Sequence, residues 1–412
     1  MIDGQRDFDL TDAEVVRDPY SLFRELREES PVVWSRALRG WMVLGYEEVR
    51  QAVRGQEFSV DTIRPFLEAM DDDLTIRELG EYIRHWAIFT DPPRHTRLRS
   101  VLNKGFAPPK ISALEGLVRR YVRRLLDDFA ERGEADLIAD FAFPLPAMVI
   151  AGMMGVPEEI IPKIKNWSDD LAGFIASTPG TEKYEIARKG GRAMADCFRE
   201  LIRDRSANPQ EDLVSQLVQA RAEGKFESDE ELVSNCILLL FAGHETTTNL
   251  IANGFYHLLR NPDQYRLVRD DASIAPMAVE ELLRFDSPAH GLTRIATKGG
   301  ELGGQHIAPG DRVFAFVTAA NRDPAIFDSP DRLHLKRKPN HHLSFGSGIH
   351  LCLGAPLARL EARIALEILP KCLRELALVD REPEWKPLLV LRGMNDLHVT
   401  FAPDSAANDA SA

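Results

Sequence analysis

The sequence predicts a mainly α-helical α+β protein with small β-sheets, and three observations carry that expectation. Apolar residues recur at three- and four-residue spacing over much of the stretch from Pro92 to about Pro370, as in Leu114, Leu117, Val118, Tyr121, Val122, Leu125 and Leu126. One segment stays helix-compatible from a capping-box start at Ser228-Asp229-Glu230-Glu231 through Cys236, Leu240, Ala252 and Leu259, until Pro262 stops it. At 1.5 Å per residue it spans roughly 45–50 Å, the width of a whole domain. Strand-like runs are short and few, so the sheets must be small.

In chain order, Tyr20 to Glu29 reads as a short helix. Val32-Val33-Trp34 and Trp41-Met42-Val43-Leu44, separated by Arg39-Gly40, read as a hairpin. In Asp91-Pro92-Pro93-Arg94-His95-Thr96-Arg97-Leu98-Arg99, Asp91 is expected to cap a helix with Pro92 in its first turn, which puts His95 and Arg99 on one face. Leu292 to Val317, with Gly303-Gly304 and Pro309-Gly310 turns, reads as short strands, and Leu388 to Phe401 as a further pair. The tail from Ala402 to Ala412 is small and polar and is expected to be disordered.

No Gly/Ser- or Pro-rich linker interrupts residues 10–400, so 1–412 is expected to form a single domain. The chain holds 51 Lys and Arg against 64 Asp and Glu, a formal charge of −13. That sign excludes a general binder of nucleic acid or anionic membrane. No stretch reaches the roughly 18 apolar residues that span a bilayer, and the acidic N-terminus lacks an apolar leader, so a cytoplasmic protein is expected. Cys197, Cys236, Cys352 and Cys372 lie far apart with no Cys-x-x-Cys pairing, which argues against zinc, iron–sulfur and disulfide frameworks.

The most informative stretch is Phe345-Gly346-Ser347-Gly348-Ile349-His350-Leu351-Cys352-Leu353-Gly354. Its glycines let backbone approach a flat ligand, and Cys352 stands just before Ala355-Pro356 and a helix-forming run to Leu369. At a helix N-terminus, unpaired N–H groups and the positive dipole end favour thiolate, which predicts a lowered thiol pKa. A single thiolate without His or Cys co-ligands suits an iron already held by four porphyrin nitrogens, where one axial bond is left for the protein. A buried inert cysteine on a glycine-rich turn is the plainer alternative.

The stretch resembles the haem-binding loop of cytochrome P450 monooxygenases, Phe-x-x-Gly-x-x-x-Cys-x-Gly, and is closest to that of soluble bacterial members. The resemblance implies their fold, a triangular prism with haem b between a long central helix and the helix after the cysteine. It also implies Cys352 as iron ligand, with Phe345 and Gly346 in the cofactor loop. Three further motifs agree in order. Ala242-Gly243-His244-Glu245-Thr246-Thr247 interrupts the long apolar helix with a charge and hydroxyls that are costly to bury idly. It is similar to the family's oxygen-activation motif, in which the glycine leaves room over the iron, Thr246 hydrogen-bonds bound oxygen and ordered water, and Glu245 links the site to bulk protons. A hydroxyl bonded back to its i−4 carbonyl is the alternative for Thr246, and structural roles are preferred for His244, Thr247 and Thr248.

Glu281-Leu282-Leu283-Arg284 places a carboxylate and a guanidinium on one helical face, a pattern that alone usually marks a solvated surface pair. It resembles the family's Glu-x-x-Arg pair, which implies an anchor for the segment before the cysteine loop. By the same resemblance, His95, Arg99, Arg294 and His350 bind the haem propionates.

The implied function is a monooxygenase that uses O2 and two electrons to hydroxylate or epoxidise a small, mostly apolar substrate. No flavin or iron–sulfur segment is recognisable, so the expected electron donor is a separate ferredoxin (2Fe-2S or 3Fe-4S) with an NAD(P)H-dependent reductase, and the enzyme is expected to be a monomer. A basic patch of Arg94, Arg97, Lys104, Arg359 and Arg363 is a candidate docking face, with an ordinary solvated face as its competitor. The expected pocket draws on residues 60–89, Trp167 to Phe174, Leu239, Ala242, Gly243, Ala289 to Thr293 and Met394. His290 stands between a substrate contact and a structural role. A peroxide-driven peroxygenase and a non-catalytic haem-thiolate sensor are the competing readings; the Glu245-Thr246 pair speaks against the first, and the absence of an appended signalling module against the second.

Overall fold

The computed structural model describes residues 9–70, 73–175 and 181–403, so most of the expected disordered tail lies outside the described residues. Ala402, expected to begin that tail, instead closes a strand. Helices dominate. After a single turn at Ala13–Arg17, the helix Pro19–Glu29 carries proline in its opening turn and the Asp18 carboxylate on the Tyr20 N–H, and it buries Tyr20, Phe23 and Leu26.

Among the described residues, ten short strands serve as edges and clamps: β1 (Val32–Ser35), β2 (Gly40–Val43), β3 (Phe58–Ser59), β4 (Glu134–Asp136), β5 (Leu292–Ala296), β6 (Gly300–Leu302), β7 (Gln305–Ile307), β8 (Arg312–Ala315), β9 (Arg374–Leu378) and β10 (His398–Ala402). The largest sheet has the order β1-β2-β8-β5-β3, with β1 and β2 forming the expected hairpin and β8 lying parallel to β2. β6 and β7 form a two-stranded hairpin. The third sheet corrects the sequence reading of a strand pair within 388–401. β10 pairs with β9 and β4, while residues 385–394 make only isolated bridges, Ala289 to Leu391 and Trp385 to Met394. Pro387 removes one ladder donor in that segment, leaving it an irregular loop.

The long helix is Asp229–Arg260. The Ser228 hydroxyl accepts from the Glu231 N–H at 3.1 Å, so the expected cap forms, but the reciprocal half of the box is shifted by one residue: the Glu231 carboxylate accepts from the Glu227 N–H at 2.7 Å rather than from Ser228. Around this helix pack Pro144–Met154, Thr181–Ala207, Ala275–Phe285 and Ala355–Cys372, in the largest of three apolar cores. The helix at Arg94–Leu102 starts three residues after Asp91, and Asp91 does not cap it. Its carboxylate instead accepts from the Val60 N–H at 3.2 Å and bonds the Ser59 hydroxyl, tying strand β3 to this turn. No helix of the described residues is long and apolar enough to cross a membrane.

Candidate haem-thiolate site

Three residues mark the opening in the long helix. From Glu231 to Tyr256 every residue is buried except Ala242, Gly243 and Thr246, which share one face. Surface left open at the centre of a core helix is room for a ligand. Gly243 is tight on its other side: a Cβ there would lie 2.7 Å from Ile150 Cγ1, so the glycine also admits the neighbouring helix Pro144–Met154. Ala242 is the residue with exposed surface. The Thr246 hydroxyl donates to the Ala242 carbonyl at 3.2 Å, the back-bonded alternative.

The cysteine loop is folded by its own backbone. The Cys352 N–H donates to the Phe345 carbonyl at 2.9 Å and the Gly346 N–H to the Leu343 carbonyl at 2.7 Å. Gly346 and Gly348 sit at φ +70° and +74°, a conformation that L side chains rarely adopt. Arg359 lies 4.4 Å from the centre of the Phe345 ring. Cys352 has exposed surface and ends the loop three residues before a helix that packs against the long helix. Although the residue keeps exposed surface, protein crowds around its sulfur, and that desolvation holds the thiol above the ordinary range, outweighing the N–H group of Gly354, Arg99, the N–H group of Ala355 and Arg359. The helix-terminus donors are present, but the expected lowering requires a cation at the sulfur, which deprotonates a coordinating thiol outright.

Beside the cysteine, four side chains from three parts of the chain converge. His95 and His350 rings lie 3.9 Å apart, and both Nε2 atoms are buried without a partner. Arg99 reaches the Leu351 carbonyl and holds Asn103 Oδ1 at 2.9 Å, while Arg294 donates only to the Thr293 carbonyl at 2.9 Å. No carboxylate among the described residues is ion-paired with any of the four. The group is therefore strained towards neutrality. His350 is pushed down to about 3 by burial and by His95, Arg294 and Arg99, and burial lowers Arg294 to about 10. Two guanidiniums and two orphaned imidazole nitrogens match a ligand that brings two carboxylates, which haem does.

Glu281 and Arg284 are both fully buried and paired at 2.8 Å, so the solvated alternative fails. Arg284 donates to the carbonyls of Asn321, Pro330 and Arg332, and Glu281 accepts from the His334 N–H, Arg337 and Asn340. One ion pair thus fixes the irregular segment 321–340 that delivers the cysteine loop. The proposed basic patch is largely neutralised. Arg94 and Arg97 hold Glu231, Arg359 holds Glu280, and Arg363 holds Glu115 and Glu367. His290 is structural: its Nδ1 lies 2.9 Å from the Thr318 hydroxyl between Phe23 and Phe316, and burial, then Arg392, lower its pKa to about 3.

The sequence reading missed the partners of Glu245. Lys386 Nζ lies 3.4 Å from Glu245 Oε1 and 3.5 Å from Asp169 Oδ1. A lysine between Trp385 and Pro387 carries no local signal of this contact, since its partner stands in the middle of the chain.

A thiol at a helix start, a bared patch on the facing core helix and a cradle for two carboxylates define a haem-thiolate protein. The cytochrome P450 family model matches residues 42–379, and the chain belongs to that family. It is 37% identical over 395 residues to the biotin biosynthesis cytochrome P450 of Bacillus subtilis, covering 94% of this chain and 98% of that one. It is 36% identical over 393 residues to the cytochrome P450 monooxygenase PikC of Streptomyces venezuelae, covering 93% and 91%. The crystal structure of P450BioI in complex with acyl carrier protein ligated to hexadec-9Z-enoic acid superposes with a TM-score of 0.89 at 36% identity, covering 95% of this chain and 99% of that one. The myxobacterial CYP267B1 in complex with myristic acid gives 0.89 at 33% identity, covering 95% and 98%. The protein is a bacterial-type cytochrome P450 monooxygenase that uses haem and O2.

Proposed function

We propose that this monooxygenase works as a single monomeric domain in the cytoplasm, takes its electrons from a separate ferredoxin served by an NAD(P)H-dependent reductase, and hydroxylates or epoxidises a small, mostly apolar substrate. The observation that carries the reading is the bared patch of Ala242, Gly243 and Thr246 with the buried Glu245 at its edge. Cys352 would supply the thiolate ligand to the haem iron, with Phe345 and Gly346 shaping its loop, and His95, Arg99, Arg294 and His350 would hold the haem carboxylates. Haem supplies the oxygen-activating redox chemistry, and the chain supplies position and protons. Thr246 releases the Ala242 carbonyl to orient water in the patch, and Glu245 recharges it with protons.

An intact acid–alcohol pair favours reductive O2 activation over the use of peroxide. Relatives bound to myristic acid, an acyl chain and testosterone support an apolar substrate. The test is product formed with a surrogate ferredoxin, its reductase and NADH against product formed with hydrogen peroxide, using compounds chosen from a panel of fatty acids and steroids by their low- to high-spin shift. NADH-driven turnover that exceeds peroxide-driven turnover, and that falls in Thr246→Ala, is expected. Turnover with peroxide alone overturns the reading.

A further inference from the structure

We infer that Glu280 is a positioning residue for the cysteine loop: it clamps the chain on both sides of Cys352 and cancels the charge of Arg359 beside the sulfur, and so sets the redox equilibrium of the iron. The inference rests on Cys352 as the iron ligand. Glu280 and Glu281 are consecutive on the helix Ala275–Phe285, yet they serve different parts of the chain. Glu281 holds His334, Arg337 and Asn340, whereas Glu280 reaches the cysteine loop itself. Its Oε1 accepts from Arg359 Nε at 2.7 Å and its Oε2 from Arg359 Nη2 at 2.9 Å, a two-pronged pair that fixes the plane of the guanidinium. Oε2 also meets His342 Nε2 at 3.0 Å. The Ser344 N–H donates to His342 Nδ1 at 3.3 Å, so Nε2 is the nitrogen that donates to Glu280.

The two partners stand on either side of the sulfur in the chain. His342 comes just before Phe345, and Arg359 lies one turn inside the helix Ala355–Cys372. Arg359 is 4.4 Å from the centre of the Phe345 ring, and the Phe345 carbonyl takes the Cys352 N–H at 2.9 Å, so one carboxylate closes a ring of contacts around the thiol. Charge gives the clamp a second effect. Two guanidiniums, Arg99 and Arg359, act on Cys352. The proposed haem carboxylates would neutralise Arg99, but Arg359 is neutralised by the chain itself. Burial raises the Glu280 carboxyl, yet Arg359 and His342 hold it at about 2, so it is ionised. The Arg359 and Glu280 side chains are 43% and 31% exposed, so losing one partner changes the charge beside the loop more than it unbalances the core. A bare guanidinium there favours the reduced iron, and a bare carboxylate the oxidised.

Four variants test this in the haem-loaded protein, each read by a spectroelectrochemical titration of the iron. Glu280→Gln keeps the shape and frees the charge of Arg359; it is expected to move the equilibrium about tenfold towards the reduced state, or about 59 mV for one electron. Arg359→Met leaves the carboxylate bare and is expected to move it about tenfold the other way. Arg359→Lys keeps a cation beside Glu280, and the double variant Glu280→Gln with Arg359→Met removes both charges; each is expected to stay within about twofold of the parent. A loop that is merely loosened would move both single variants in one direction and the double variant further still. Shifts of Glu280→Gln and Arg359→Met in the same direction, a double variant further from the parent than either, or single variants that stay within about twofold of the parent, overturn the inference. The carbon monoxide difference band tells which reading has failed. A parent without the red-shifted band ends Cys352 as the iron ligand, whereas a parent that keeps it, with unmoved variants, ends the role of Glu280 alone.

Discussion

Replacing Glu281 by glutamine tests the idea that one buried ion pair carries the segment 321–340. In the parent, the carboxylate accepts from both Nε and Nη2 of Arg284 at 2.8 Å, from Arg337 Nε at 3.1 Å, from the His334 N–H at 2.9 Å and from Asn340 at 3.2 Å. Glutamine keeps the shape but leaves two guanidiniums without a counter-charge, and one of them is fully buried. Removing one partner of a buried pair costs about 3–5 kcal/mol. Arg284 retains the Asn321 and Pro330 carbonyls at 2.9 Å, so the lower end applies, about 3 kcal/mol, or more than a hundredfold in the folding equilibrium. Arg24→Met is the comparison: Arg24 and Asp331 also meet at 2.8 Å, but with side chains 49% and 45% exposed, and its loss is expected to cost under about 1 kcal/mol. Urea unfolding, followed by far-ultraviolet circular dichroism and by the haem absorption band, reads both. A Glu281→Gln midpoint no lower than that of Arg24→Met would refute the reasoning.

Other outcomes follow from the same geometry. Cys352→Ala is expected to abolish the red-shifted carbon monoxide difference band of the reduced protein, which a spectrophotometer checks directly. His95→Phe removes one of the two orphaned imidazoles and is expected to speed haem transfer to excess apomyoglobin about tenfold, in line with about 1.5 kcal/mol for a charge-assisted bond. His290, lowered to about 3 in the fold from an ordinary 6.5, binds its proton more readily when unfolded. Its contribution is therefore complete above about pH 6.5 and is lost as pH falls towards 3, at up to about 1.4 kcal/mol per unit. Unfolding free energies of His290→Gln between pH 7 and 4 are accordingly expected to fall less steeply than those of the parent.

Local chemistry decided what could be read without coordinates. The long helix, its Ser228 cap, the β1–β2 hairpin and the cysteine loop are each written in a few consecutive residues, and each appears where those residues place it. The convergence of His95, Arg99, Arg294 and His350 was legible only through resemblance, because no spacing rule joins a helix, a strand and a loop. What failed depended on distant partners. Asp91 has the chemistry of a helix cap, yet strand β3 offers it a hydroxyl and an N–H first. Residues 388–391 form a short apolar run like a buried strand, but the ladder forms at 398–402, where β9 and β4 supply the other edges. The arginines around Cys352 read as a positive patch until their carboxylate partners, many residues away, cancel them.

The contact between Gly243 and Ile150 couples two positions that the chain keeps far apart. An alanine in the long helix at this point forces a methyl against Ile150 Cγ1, an atom that valine would keep, so it is tolerated only where that isoleucine shrinks to alanine or the two helices part. Divergence, or a designer reshaping this face of the long helix, must therefore change both residues together, and the shape of the bared patch is set partly by the helix Pro144–Met154 that backs it.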